Sequence, residues 1–149
     1  MDAKIDIGQY LKFQKKSADL YTKIIEAAAL RVGLTKPEAD ILLFFANNKE
    51  YTTAADAVRM RGLSKGHVSK AVEKLSGKNL ITVRTGGEDR RFQHIELDPS
   101  AGERIAALQA AQQEYVRILL RDFTAEETAA LMNLLYKIYE NCKNIVKYE

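Results

Sequence analysis

Several absences bound this chain before any motif is read. One cysteine in 149 residues allows no internal disulfide, which fits a reducing compartment. No run of about 18 apolar residues occurs, so a membrane-spanning helix is not expected. Two prolines and eight glycines are too few for linkers or low-complexity tracts, and no internal repeat is visible. The opening segment MDAKIDIGQYLKFQKK has neither the apolar core nor the small-residue cleavage site of a secretory leader, so a cytoplasmic location is expected. No Ser/His/Asp set, Cys–His pair, phosphate-cradling glycine loop or paired-carboxylate motif stands out, which argues against an enzyme and implies no cofactor. His67, His94 and the distant Cys142 do not make ligand spacing, so no metal is expected.

What the chain does have is unevenly placed charge. Its net charge is only +3. Yet Arg59 to Arg91 holds nine Lys/Arg (Arg59, Arg61, Lys65, Lys70, Lys74, Lys78, Arg84, Arg90, Arg91) against Glu73, Glu88 and Asp89, a local +6. A solvated surface would spread charge more evenly; concentrated positive charge suits a polyanion.

That basic stretch coincides with a recognisable order of elements. A short helix from Thr52 to Met60, capped by Thr52 or Thr53 with Ala55 and Val58 facing inward, leads into Arg61-Gly62-Leu63. A second helix opens at Ser64. Then come Leu80-Ile81-Thr82-Val83-Arg84, a turn at Gly86-Gly87, the cluster Glu88-Asp89-Arg90-Arg91, and a returning strand. Helix, turn, helix and hairpin is the layout of a winged helix-turn-helix, which sets one helix in a DNA major groove and a loop near the adjacent minor groove.

The flanks read as helices. Ile7, Leu11, Ala18, Tyr21, Ile25 and Ala28 form an apolar stripe along residues 4 to about 31, with Gly33 as stop signal. Thr35-Lys36-Pro37-Glu38 is a capping box with proline in the first turn, opening a helix through Leu42, Leu43 and Ala46. Asp98-Pro99 opens another helix running to about Arg121, and Thr124-Ala125-Glu126-Glu127 caps the last one, to about Lys147. Leu131, Leu135, Ile138, Cys142 and Ile145 step by four, three, four and three, a coiled-coil-like seam on which Cys142 reads as a packed thiol. These terminal helices carry more apolar stripe than the winged unit can cover. Pairing with each other and with a second copy gives a twofold dimer, suited to an operator of two half-sites. A monomeric bundle resting on the winged unit is the plainer alternative.

At 100° per residue, Val68, Ala71, Val72 and Leu75 cluster on the inner side of the helix opening at Ser64. The outer side, near the N-terminus that reads base edges, offers Ser64, Lys65, His67, Ser69 and Lys70 as DNA-binding candidates. Gly66 would let the backbone approach the duplex, Ser64 also serves as N-cap, and Lys74 suits phosphate or solvent. At the hairpin tip, Asp89 and Arg91 are spaced for a carboxylate to hold a guanidinium entering the minor groove, with Arg90 on phosphate or as substitute. A weak surface ion pair is the plainer reading there. Tyr10, Phe13, Tyr21, Phe44, Phe45 and Tyr115 could line an effector pocket but more often form core.

Taken together, these segments resemble the MarR family of transcription regulators. The resemblance rests on the long first helix, on LTKPEADILLFFA, on LSKGHVSKAVEKLSGKNLI and on DRRFQHIELDPSAGERI, with the family's Asp-x-Arg wing signature at Asp89 and Arg91. It implies a mainly α fold with a small β-hairpin wing: a dimerisation helix at 1–32, a winged helix-turn-helix at 33–98 and dimerisation helices at 99–149. It further implies a homodimer binding double-stranded DNA at palindromic operators, usually as a repressor released by a small-molecule effector. An activator without a ligand, or a winged protein-interaction module, is the alternative. The chain departs from the family in its acidic, glycine-rich loop Gly86-Gly87-Glu88, and in Leu97-Asp98 where Leu-Thr is usual. The second exchange is harmless if Asp98 caps the next helix. No cysteine lies near the start of the first helix, where oxidant-sensing members carry one, and the ligand-binding residues are not legible.

Overall fold

The computed structural model describes residues 4–85 and 93–146. Its elements run α1 (Ile7–Arg31), α2 (Lys36–Asn47), α3 (Ala54–Arg61), α4 (Lys65–Gly77), β1 (Ile81–Thr85), β2 (Gln93–Leu97), α5 (Gly102–Leu119) and α6 (Ala125–Ile145). The chain divides into two compact units, Met1–Tyr115 and Val116–Glu149, with α5 crossing the boundary.

Local chemistry sets most element ends in the first unit. Asp6 caps α1 by accepting the Gln9 amide at 3.1 Å. The chain leaves α1 through Gly33 at φ +74° and leaves α3 through Gly62 at φ +64°. This left-handed backbone is cheap for glycine and costly for other residues. The expected capping box of Thr35 with Glu38 forms on α2, and of the two threonines offered as cap of α3 it is Thr53, which forms a further box with Asp56. Asp98 accepts the Ser100 amide at 2.9 Å, so the Leu97-Asp98 exchange does preserve a cap. The first turn there is 3-10, Pro99–Ala101, and the α-helix begins only at Gly102.

One inward-facing assignment is corrected. Ala55 is exposed, and Ala57 is the buried residue of α3. The i, i+3, i+4 set turned inward is Ala54, Ala57 and Val58, with Ala54 and Val58 packed partly buried against the core.

Helix α4 packs on α2 and α3 through Val68, Ala71, Val72 and Leu75, all buried. They share one core with Ile41, Leu42 and Phe45 of α2 and with Leu80, Ile81 and Ile95. The hairpin is antiparallel, with Ile81 opposite Leu97 and Arg84 opposite His94. Its base is tied to the helix-turn-helix. The Ile95 amide donates to the Thr52 carbonyl at 2.7 Å, and His94 Nδ1 lies 2.9 Å from the Thr52 hydroxyl.

Of the α1 stripe, Ile25 and Ala28 are buried while Ile7 and Leu11 are exposed. A polar chain joins α1, α2 and α5. Gln109 donates to Asn47 and Asn47 to Gln112, both at 2.9 Å, and Gln112 donates to the Tyr21 hydroxyl at 2.9 Å. Tyr21 meets Tyr115 edge-on at 5.1 Å.

In the second unit, Thr124 and Glu127 form the expected capping box of α6, at 2.8 and 3.1 Å. This helix has no buried residue. Leu135, Ile138 and Ile145 of its apolar seam are 47, 48 and 83% exposed. Cys142 is exposed too, so the thiol expected to be packed is uncovered in the single chain. Among the described residues no helix is long and apolar enough to cross a membrane.

Candidate nucleic-acid interface

Helix α4 presents one face to the protein and the other to solvent, and every recognition-helix candidate lies on the solvent face. Ser64, Lys65, Gly66, His67, Ser69, Lys70 and Lys74 are all exposed. Ser64 is the N-cap, its hydroxyl accepting the His67 amide at 3.2 Å. A capped helix N-terminus turned to solvent carries partial positive charge suited to phosphate. A Cβ placed on Gly66 would meet nothing within 4 Å. Packing within the protein therefore does not require glycine there, although glycine inside a helix costs roughly 1 kcal/mol relative to alanine. The wing candidates Asp89, Arg90 and Arg91 lie outside the described residues.

The basic stretch separates into two groups. Arg59 pairs with Asp56 at 2.8 Å, Arg84 with Glu96 at 3.4 Å and Lys78 with Glu38 at 2.6 Å, while Arg61 stands 3.9 Å from Asp40. Lys65, Lys70 and Lys74 pair with no other described residue. Part of the +6 is thus engaged within the fold, and among the described residues of the stretch the unpaired positive charge lies on α4, at Lys65, Lys70 and Lys74.

Two buried carboxylates lie behind that helix, and sequence reasoning missed the partners of both. Asp40 is 3% exposed. Its Oδ2 takes Lys36 Nζ at 2.6 Å, and its Oδ1 has no hydrogen-bond partner among the described residues. Glu38 is 1% exposed. It accepts Lys78 Nζ on Oε2 at 2.6 Å, and the Thr35 hydroxyl and amide on Oε1 at 2.8 and 3.3 Å. The only sequence signal was the capping box, which explains the Thr35 bonds but not the lysine. Burial pushes the Glu38 carboxyl up. The hydrogen bonds from Lys78 and Thr35, with the Lys78 charge, outweigh it and hold the pKa below its ordinary value. Asp56 behaves likewise, its burial outweighed by Thr53, Thr52 and Arg59.

A depressed folded-state pKa gives stability that is present above the ordinary carboxylate range and lost as pH falls through the folded value. The urea midpoint is therefore expected to drop on acidification from about pH 6 to pH 3, and less steeply in Glu38→Gln than in wild type. Equal acid slopes in the two proteins would remove Glu38 from this account.

Of the aromatic candidates, Phe44 and Phe45 are buried, whereas Tyr10 and Phe13 are 38 and 56% exposed. Tyr21 and Phe44 line a small cavity of about 80 Å³ with Asn47, Asn48 and Gln112. Among the described residues no group of three His, Cys, Asp or Glu could hold a metal ion.

Comparison with known proteins places this geometry. Residues 32–91 match the model of the MarR family. The HTH-type transcriptional regulator YdgJ of Bacillus subtilis (strain 168), itself uncharacterised, is 21% identical over 113 residues, covering 76% of this chain and 68% of that protein. A MarR regulator of Methanosarcina mazei Go1 superimposes with a TM-score of 0.80 at 15% identity, covering 97% of this chain and 96% of the other. A MarR-family regulator of Listeria monocytogenes, solved in complex with a 26mer DNA, has a TM-score of 0.79 at 16% identity, covering 90% and 89%. Residues 32–91 are thus similar to the MarR family, in a chain that shares its fold with solved MarR regulators.

Proposed function

We propose that this chain is a sequence-specific regulator of transcription that binds double-stranded DNA as a homodimer on a palindromic operator in the cytoplasm. The observation that carries the reading is α4: a buried apolar face, a capped N-terminus, and Lys65, Lys70 and Lys74 outside, paired with no other described residue. Ser64, Lys65, Gly66, His67, Ser69 and Lys70 meet base edges and the nearest phosphates, and Lys74 meets the backbone farther along. Asp89, Arg90 and Arg91 serve the wing. The uncovered apolar seam of α6 supports a second copy, which sets two α4 helices at the spacing of successive grooves. Such a dimer lends itself to repression relieved by a small molecule: a ligand that alters that spacing by a few ångströms spoils two-groove docking without unfolding the protein.

Selection of bound fragments from genomic DNA, followed by anisotropy titration over a salt series, tests the reading. Binding should weaken steeply with salt through counterion release, and the selected fragments should share inverted half-sites about one helical turn apart. Affinity indifferent to salt, or no binding at all, would favour a protein-interaction module. Lys70→Ala is expected to weaken operator binding by about 1–3 kcal/mol; an unchanged titration curve would take Lys70 off the contact surface.

A further inference from the structure

Lys78 belongs by sequence to the basic stretch, but its ammonium is turned back on the protein. It is the C-cap residue of α4. Its Nζ donates to Glu38 Oε2 at 2.6 Å and to the Gly33 carbonyl at 3.1 Å. The C-terminal end of α4 is thus bonded to the α1–α2 connection and to the first turn of α2. Glu38 is almost fully enclosed. A carboxylate there is tolerable only with a charged partner, so the site selects one place for the lysine and hence for the end of the helix that carries it.

The other end of α4 is backed differently. Lys36, Pro37, Asp40 and Ile41 of α2, with Leu63, His67 and Val68, line a cleft of about 210 Å³. His67 and Val68 belong to the first turn of α4, which carries the residues that face DNA. The helix is therefore held by an ion pair at its C-terminal end, while its N-terminal end, seated only through the apolar Val68, borders a cleft. A helix of 13 residues is roughly 20 Å long, so a tilt of about 5° about its C-terminal end moves the N-terminal end by about 1.7 Å. Hydrogen bonds to base edges do not survive such a displacement, whereas long lysine side chains can still reach phosphate.

We propose that the Lys78–Glu38 ion pair is the fixed point that sets the tilt of α4 in the groove, making both residues positioning residues for sequence discrimination. The inference rests on the reading that α4 enters the major groove. It gives Lys78 a role opposite to the one its charge suggests: it serves specificity and adds nothing to general affinity for DNA.

The test compares wild type, Lys78→Met and Lys78→Arg on two duplexes of equal length, one recovered by genomic selection and one scrambled, each titrated across salt. Lys78→Met should hold the scrambled duplex within about twofold of wild type with an unchanged salt slope, while its preference for the selected duplex falls about tenfold or more. Lys78→Arg, which keeps the cation, should restore most of that preference. A parallel loss on both duplexes with a slope smaller by about one would instead make Lys78 a phosphate contact and overturn the proposal. Unchanged preference in the folded Lys78→Met protein would reduce the pair to a staple and overturn it equally. If Lys78→Met does not fold, Glu38→Gln, which keeps the shape and an acceptor for Thr35, decides by the same ratio. A wild-type protein that does not distinguish the two duplexes would sink the underlying reading of α4; discrimination kept by every variant would sink only the positioning role.

Discussion

Leu75→Ala is expected to cost about 3 kcal/mol of folding stability, read as a lower urea midpoint with an unchanged slope. Leu75 is fully enclosed, and it stands on the face of α4 that packs on α2 and α3. Removing three carbons there loses their transfer energy and leaves a cavity that helices fixed by capping boxes at Thr35 and Thr53 close only in part. Against a typical total of roughly 5–15 kcal/mol the loss is large. Lys74→Ala, one residue earlier and exposed, should change stability by no more than about 0.5 kcal/mol while weakening DNA binding. The two neighbours therefore separate the packing face of α4 from its outer face. A Leu75→Ala protein as stable as wild type would mean that α4 is not seated on this core.

The parts of this fold that were legible in the sequence are those decided by chemistry within one helical turn. Thr35 with Glu38, Asp98 and Thr124 with Glu127 each cap the helix expected of them, because a cap needs only a side-chain oxygen and an amide two or three residues on. The inner face of α4 was legible because Val68, Ala71, Val72 and Leu75 fall at i, i+3, i+4 and i+7 among polar neighbours. In α3, Ala54, Ala55 and Ala57 are chemically alike, so the pattern did not fix which of them turns inward, and Ala55 was placed inside when it is outside.

Partnerships over long sequence distance were not legible. Glu38 and Lys78 are 40 residues apart, and Asn47 lies 62 and 65 residues from Gln109 and Gln112. Sequence records that each group exists but not which group it meets. For that reason the count of nine basic residues overstated the charge available to DNA. Arg59, Lys78 and Arg84 each hold a carboxylate within the fold, and among the described residues the face of α4 is the smaller, more local feature that remains.

The second large effect concerns α6. Its apolar residues are not confined to the seam of Leu131, Leu135, Ile138, Cys142 and Ile145. Met132, Leu134, Tyr136 and Tyr139 are more than half exposed as well, so at 100° per residue the apolar arc from Leu134 to Tyr136 spans roughly 200°. A helix resting on one neighbour needs about half of that. No residue of α6 is buried in the single chain, so an arc this broad calls for a cover, which in the proposed dimer is a second copy. Ile138 lies near the middle of the seam. Ile138→Glu sets a charge where the partner's helix would exclude water, at a cost of several kcal/mol for an unpaired ion. About 3 kcal/mol corresponds to a dimer weakened roughly 100-fold. The variant is expected to sediment as a single subunit at micromolar concentration, and its operator affinity to fall toward that of one half-site. Asn133→Glu, on the polar side of the same helix, should change neither. Dimers of undiminished strength in Ile138→Glu would place the twofold interface elsewhere and leave the breadth of the α6 arc without a physical account.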